Sequence, residues 1–248
     1  ILSILFFLAS LYHAWALPRP ASDRHAPDRT VGGILRESLL TFRSFFMKKN
    51  IVPALLFMLL FRLPEAQLVK IINPFLLDPI AKGGLGLSTS TVGIVYGTVG
   101  IIGLTLGGIL GGIAASQGGL KRWLWPMVCA ITLPDLVYVY LAYAQDSALW
   151  IVNTSVFIEQ FGYGFGFTAY MLYLIYFSEG EHSTSHYAIS TGFMALGMML
   201  PGMMAGWLQE LIGYRHFFLW TILCCAATFV VCLFIKIDPE FGKKKQQG

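Results

Sequence analysis

Three ionisable side chains lie inside long apolar stretches of this sequence, where charge is rare. Glu159 is the one charged residue between residues 147 and 178, and Arg62 and Glu65 stand three residues apart in another such stretch. A carboxyl group at membrane depth is costly, so it faces a bundle interior or a wet cavity, where it can exchange a proton. An arginine and a glutamate at this spacing on a helix can pair. The pattern predicts proton-coupled carriage of a solute, with a structural hydrogen-bonding role for Glu159 as the alternative.

Aromatic and amide side chains accompany these charges. At 100° per residue, Tyr163, Tyr170 and Tyr173 share one helical stripe with Glu159. Their hydroxyl groups and flat faces suit a bulky polar solute. Pro64 is expected to interrupt the helix that carries the arginine. We predict proton-coupling roles for Glu159 and Glu65, and substrate-binding roles for Arg62, Asn73, Gln160, Tyr163 and Tyr170.

The composition places these residues in a polytopic helical membrane protein. Of the 248 residues, 56% are hydrophobic and 12% are charged, against about 25% charged in soluble domains. Six runs are long enough to cross a bilayer as helices, with kinks expected at Pro64, Pro134 and Pro201. The predicted spans are residues 50–77, 88–116, 123–143, 149–178, 187–209 and 217–235.

Glycines mark the helix faces that are expected to pack backbone to backbone. Small residues at three- and four-residue steps let helices approach closely in lipid, where hydrophobic burial offers no driving force. In the fourth span, Gly162, Gly164 and Gly166 permit a close approach or a bend. In the second span, the predicted close-packing face consists of Gly93, Gly97, Gly100, Gly107 and Gly111.

The flanking segments give the expected domain plan and orientation. Residues 1–17 are typical of the end of a preceding transmembrane helix, with a secretory signal as the alternative because residues 14–16 (AWA) look like a signal-peptidase site. Residues 18–49 read as a basic linker that ends in an amphipathic surface helix. The six-span bundle covers residues 50–236, and a basic tail covers 237–248. Alternating the loops places 13 cations on one side and 2 on the other, which predicts a cytoplasmic linker and C-terminus.

Other chemistries have little support in the sequence. The four cysteines lie in apolar runs without CxxC spacing, which favours packing roles. No Walker A, HExxH or GxSxG motif is present, and no basic aromatic surface suits nucleic acid. Asp135, beside Pro134, is a lesser candidate for the cavity. We expect no enzymatic activity, no cofactor or metal, and no nucleic-acid partner.

Four short segments carry a resemblance to a known family. They are residues 61–66 (FRLPEA), 159–166 (EQFGYGFG), 187–190 (YAIS) and 201–210 (PGMMAGWLQE). A partial helix, a basic linker with a surface helix and six spans, together with the loop at residues 118–122 (GGLKR), resemble the second half of a major facilitator superfamily transporter. The four segments resemble more closely the peptide–acetyl-coenzyme A transporter family, especially its bacterial muropeptide permeases.

The resemblance implies an all-α, six-helix C-terminal half of a proton-coupled importer in the bacterial inner membrane. Its implied partners are an N-terminal six-helix half, membrane lipid and protons, and its implied solute is an anhydro-muropeptide carried by alternating access. In that scheme Glu159 takes up the proton, Arg62 exchanges Glu65 for an acid of the substrate, and Tyr163 and Tyr170 stack on sugar rings. Two alternatives stay open: a carrier of another organic anion or peptide-like solute, and a membrane sensor module that binds a ligand without moving it.

Overall fold

The chain is helical throughout the part that can be described. The computed structural model describes residues 2–16 and 31–244, and these contain no strand. The chain forms two compact units, residues 1–40 and 41–248. Linker residues 18–30 lie outside the described residues. The helices are α1 (Leu2–Ala16), α2 (Val31–Phe46), α3 (Ile51–Leu60), α4 (Leu63–Leu77), α5 (Thr89–Ile94), α6 (Ile101–Gly118), α7 (Leu120–Thr132), α8 (Leu136–Ala144), α9 (Leu149–Ser178) and α10 (Ser183–Phe234).

Among the described residues, three segments are long and apolar enough to cross a membrane: Thr89–Gly118, Leu120–Ala144 and Ser183–Phe234. The last contains one position with non-helical dihedral angles, Gly213 (φ 72°, ψ 166°), where two helices meet. Those two helices lie at the predicted fifth and sixth spans. Helix α9 lies at the predicted fourth span but is less apolar than the three segments above. Helices α3 and α4 lie at the predicted first span, which is interrupted between them. The expectation of an all-helical membrane protein is therefore confirmed, and the count of six spans stays a prediction.

Two of the three prolines at which kinks are expected, Pro64 and Pro134, lie at breaks between helices. Helix α3 ends at Leu60 and α4 begins at Leu63, with Arg62 between them at φ −101°, ψ 15° and Pro64 in the first turn of α4. Proline lacks an N–H and so fits a helix start, where that group has no intrahelical partner. Pro134 lies in a 3-10 turn, Leu133–Asp135, which joins α7 to α8. Around Pro201 the dihedral angles of α10 stay helical, and the kink expected there stays a prediction; the non-helical residue Gly213 lies between the predicted fifth and sixth spans.

Helix α9 is packed between α6 and α7 through its glycines. A Cβ atom added at Gly164 would overlap the carbonyl oxygen of Leu104 in α6. Cβ atoms at Gly162 and Gly166 would overlap carbonyl oxygens of α7. The three glycines thus let α9 approach two neighbouring backbones at once, as small residues do in membrane bundles.

The predicted glycine face of the second span is correct only in its later part. Gly107 and Gly111 contact the backbone of α9, together with Gly103, which the prediction omitted. At Gly93 and Gly97, however, a Cβ atom would have no other atom within 4 Å. The reason is a π-helical turn at Val95–Gly100, because its wider turn breaks the 3.6-residue periodicity on which the prediction depended.

Helices α3, α4 and α10 form the other side of the bundle. Helix α4 packs along α10, and α3 packs against the same helix. Thr228 of α10 donates a hydrogen bond to the carbonyl oxygen of Phe61, at the break between α3 and α4 (2.9 Å). The α3–α4 break is therefore held by α10, and it faces α9 across the bundle.

Candidate functional site

A polar cavity lies between α4, α9 and the π-helical turn before α6. Its volume is about 340 Å³. Six of the seven residues predicted to form the site line this cavity, although they come from segments about 100 residues apart in the sequence. The lining residues are Arg62, Glu65, Leu68, Val69, Ile72, Asn73, Tyr96, Glu159, Gln160, Tyr163 and Met198.

Arg62 and Glu65 form a bidentate ion pair in the cavity wall. The Arg62 Nε atom donates to Glu65 Oε2 at 2.9 Å, and its Nη2 atom donates to Glu65 Oε1 at 2.8 Å. The same Nη2 atom donates to the hydroxyl oxygen of Tyr163 at 2.6 Å. The guanidinium carbon lies 4.6 Å from the centroid of the Phe167 ring. The predicted pairing is confirmed, and it also connects α4 to α9.

Arg62 lies buried at the break between α3 and α4. It is the residue that precedes α4, and only 8% of its surface is exposed. Two parallel hydrogen bonds from a guanidinium to a carboxylate are among the stronger polar contacts in proteins. Such a pair compensates both charges in a low-dielectric setting, whereas either partner alone would be costly to bury.

Glu159 has neutral partners. Its Oε2 atom accepts hydrogen bonds from the Tyr138 hydroxyl at 3.1 Å and from Gln160 Nε2 at 2.9 Å. The Tyr138 hydroxyl in turn lies 2.7 Å from that of Tyr96. Only 6% of Glu159 is exposed. Within residues 2–16 and 31–244, no cation forms an ion pair with it. The two acids of the cavity therefore differ: Glu65 is paired with a positive charge, and Glu159 is hydrogen-bonded to uncharged groups.

Tyr96 and Tyr138 are functional candidates that the sequence did not reveal. Tyr138 belongs to α8 and is fully buried, while Tyr96 lies on the π-helical turn and lines the cavity. Neither shares a helix with Glu159, so no spacing rule connects them. For Tyr138 the only signal is the aromatic content of the third span, which does not single out one tyrosine, and Tyr96 in the second span has no such signal.

The structure corrects the placement of Tyr170. Its ring is fully buried, with centroids 5.4 Å from Phe57 and 5.1 Å from Phe61. Its hydroxyl donates to the carbonyl oxygen of Met58 at 2.6 Å. Tyr170 lies two helical turns beyond Tyr163, where α9 packs directly against α3. Its faces are therefore covered by other rings, and it does not line the cavity.

Asp135 likewise lies outside the cavity. It is 4% exposed and sits in the 3-10 turn between α7 and α8. Its Oδ2 atom is 3.8 Å from the Sγ atom of Cys225. The position of Asp135 therefore does not support its predicted secondary role in the cavity. Tyr138, one turn later, is the side chain that reaches Glu159.

The described part of the chain has no evident metal site. Across residues 2–16 and 31–244, histidine, cysteine, aspartate and glutamate do not cluster in groups of three or more that would hold a metal ion. The chemistry that the cavity itself offers is proton exchange at carboxyl groups and recognition of polar solutes by arginine, amide and tyrosine side chains.

Polar and charged side chains that line a cavity inside a helical membrane bundle are typical of membrane transporters. Comparison with known proteins agrees. The chain is 25% identical over 201 residues to the anhydromuropeptide permease of Escherichia coli K12, covering 81% of this chain and 40% of that protein. It is 26% identical over 196 residues to AmpG 4 of Rickettsia conorii, which is named as an inferred transporter. That match covers 78% of this chain and 45% of that protein. No protein-family model matches the chain.

These similarities confirm the resemblance to muropeptide permeases of the major facilitator type. Both of these relatives are named as a permease or a transporter, and they support an integral membrane location for this chain. The chain spans less than half of the length of the curated relatives that it matches.

Proposed function

We propose that this chain forms part of a proton-coupled secondary transporter that imports anhydro-muropeptides across the bacterial inner membrane. The observation that carries the proposal is the cavity that brings an ion pair, Arg62–Glu65, and a second acid, Glu159, together inside a membrane bundle. Ionisable residues at membrane depth mark ion and substrate pathways. The solute class comes from the name of the E. coli relative.

Glu159 is the proposed site of proton exchange. Protonating Glu159 breaks no ion pair, because its partners are the hydroxyl of Tyr138 and the amide of Gln160. Protonating Glu65 would instead leave the buried Arg62 without a counter-charge, which is costly. Glu65 therefore contributes to proton coupling indirectly. When a carboxylate of the substrate replaces Glu65 on Arg62, Glu65 is free to accept a proton.

The cavity offers a polar end for a solute rather than a complete binding site. Its volume of about 340 Å³ is at the lower limit for small-molecule pockets, which run from about 300 to 1,000 Å³. Asn73, Gln160 and Tyr163 supply amide and hydroxyl groups around the arginine. We propose that the rest of the site comes from an N-terminal six-helix half, because carriers of this kind bind solutes between two repeats.

The proposed topology keeps the six spans and the charge asymmetry of the sequence. The 13 cations on one side and 2 on the other support a cytoplasmic linker (residues 18–49) and a cytoplasmic tail (237–248). The helices at residues 50–236 then form the bundle, and alternating access moves it against the other half.

The test is a Glu159→Gln variant of the full-length transporter in proteoliposomes. We expect uphill uptake of labelled anhydro-muropeptide under a proton gradient to be abolished, while counterflow exchange, which needs no net proton movement, is retained. The matched control is Glu210→Gln, because Glu210 is an exposed acid in α10. Uphill accumulation in the Glu159 variant would contradict the coupling role. Competition by unrelated organic anions but not by muropeptides would favour the alternative solute class.

A further inference from the structure

Two adjoining cavities occur at the end of the bundle where α7 begins and α10 ends, and Lys121 lines both. The first, of about 660 Å³, has two lysines and an apolar wall. The second, of about 440 Å³, has three cationic residues. The first is lined by Lys121, Leu124, Trp125, Cys232, Leu233, Ile235, Lys236 and Ile237. The second is lined by Gln117, Gly118, Lys121, Arg122, Pro239 and Lys243.

Three of the four cations that line these cavities have no ion-pair partner among the acids of the described residues. In residues 2–16 and 31–244, Lys121, Arg122 and Lys236 form no ion pair. Lys243 does pair with Glu240, at 2.6 Å. Asp238 and Glu240 are the acids nearest in sequence, but neither lines a cavity. The two cavities therefore present an excess of positive charge.

Below these charges the first cavity is apolar and faces outward. Trp125 is 40% exposed and Leu233 is 67% exposed. The Trp125 ring stacks on Phe229, with centroids 6.4 Å apart and planes inclined by 13°. The groove between the start of α7 and the end of α10 thus has a cationic end and an apolar wall.

The position of the groove matches the edge of a membrane. Lys121 follows the first residue of the span Leu120–Ala144, and Lys236 comes two residues after the span that ends at Phe234. Lysines at span ends reach the headgroup level, and basic pockets between transmembrane helices bind acidic headgroups. The charge and the depth of this groove both correspond to a lipid that carries a negative headgroup.

We propose that this groove is a binding site for an anionic glycerophospholipid. The phosphate lies between Lys121 and Lys236, the acyl chains lie along Trp125 and Leu233, and Arg122 extends the positive surface for the headgroup. This site is separate from the polar cavity, and it does not depend on the transported solute.

The tail of the chain fixes the second cavity in shape. The Leu120 amide donates to the carbonyl oxygen of Phe241 at 3.0 Å, and the Lys244 amide donates to that of Ser116 at 2.8 Å. The Phe241 ring packs edge-on against Tyr176 of α9, with centroids 4.8 Å apart. These contacts hold the tail against the α6–α7 loop and so fix the backbone that carries Lys243.

The test compares lipid retention by the purified full-length transporter in native mass spectrometry. Phosphatidylglycerol and phosphatidylcholine are the probes, and Lys121→Gln/Lys236→Gln is the variant. The control is Lys82→Gln/Arg215→Gln. Lys82 lies before α5–α6, whereas Lys121 lies after it, so these two lysines are at opposite ends of that segment. Arg215 lies at the start of the last helical segment, whereas Lys236 lies after its end. The control therefore removes two cations from the opposite rim.

We expect the wild-type protein to retain phosphatidylglycerol over phosphatidylcholine. Each lysine removed should weaken that retention about fivefold, the value for roughly 1 kcal/mol per cation at an anionic surface. The control should retain phosphatidylglycerol as the wild type does, and thermal unfolding of the Lys121/Lys236 variant should match that of the wild type. Equal retention by the Lys121/Lys236 variant and the control would overturn the proposal. Displacement of the lipid by millimolar inorganic phosphate would also overturn it, because the site would then be one for free phosphate.

Discussion

Replacing Gly107 with alanine tests whether α9 is seated on α6 by direct backbone contact. A Cβ atom at Gly107 would overlap the carbonyl oxygen of Phe161 and lie 2.9 Å from the amide nitrogen of Phe165. Both are main-chain atoms of α9, so no side chain can rotate away. Either α6 and α9 must separate, or the contact must be strained.

A control in the same helix isolates this effect. At Gly112, five residues further along α6, a Cβ atom would have no other atom within 4 Å. Alanine is better than glycine in a helix interior by about 1 kcal/mol, and this gain applies to both substitutions. It therefore cancels when Gly107→Ala is compared with Gly112→Ala. What remains is the overpacking cost, about 1–3 kcal/mol, and rigid main-chain neighbours favour the upper half of that range.

Thermal unfolding of the detergent-solubilised full-length protein measures the difference. One kcal/mol corresponds to a shift in Tm of about 2–4 °C for a bundle of about 200 residues. We expect Gly107→Ala to unfold about 4–12 °C below Gly112→Ala. Equal Tm values would refute the close approach of α6 to α9, and with it the inference that glycine contacts seat α9, the helix that carries Glu159.

Two further substitutions test the side chains around the cavity. Glu65→Ala should destabilise the protein by about 3–5 kcal/mol, because it leaves the buried Arg62 unpaired. The double variant that adds Arg62→Met should recover at least half of that loss, measured by thermal unfolding. Tyr170→Phe should lower the free energy of unfolding by about 1 kcal/mol, because the hydrogen bond to Met58 is lost. It should leave the apparent affinity for solute unchanged. Weaker solute binding with unaltered stability would instead support the substrate-binding role predicted from the sequence.

The ion pair of the site was predictable because it is local. Arg62 and Glu65 are three residues apart, and Pro64 between them is suited to a helix start, so sequence alone indicates both the pairing and the break. Glu159 was predictable for a different reason: one acid in about thirty uncharged residues has a high cost at membrane depth. In each case a single segment contained the whole signal.

Features that depend on contacts between segments could not be predicted in this way. The bond from Tyr138 to Glu159 joins α8 to α9, and the one from Tyr96 to Tyr138 joins the π-helical turn to α8. Tyr170 shares the helical stripe of Glu159, but a stripe indicates direction and not depth. Whether a ring on that stripe meets the cavity or a neighbouring helix depends on where α3 packs, which periodicity does not encode.

The contacts of α9 determine which wall of the cavity can move. Helix α9 is fixed to α6 and α7 by main-chain contacts at its glycines, so Glu159 and its partner Tyr138 belong to one closely packed unit. Helix α4 begins at a break and meets α9 through the hydrogen bond from Arg62 to Tyr163. A side-chain bond can be exchanged for a bond to solute, whereas main-chain packing cannot be replaced so easily. If the cavity opens to take up a solute, the separation therefore falls between Arg62 and Tyr163, and Glu159 keeps its surroundings.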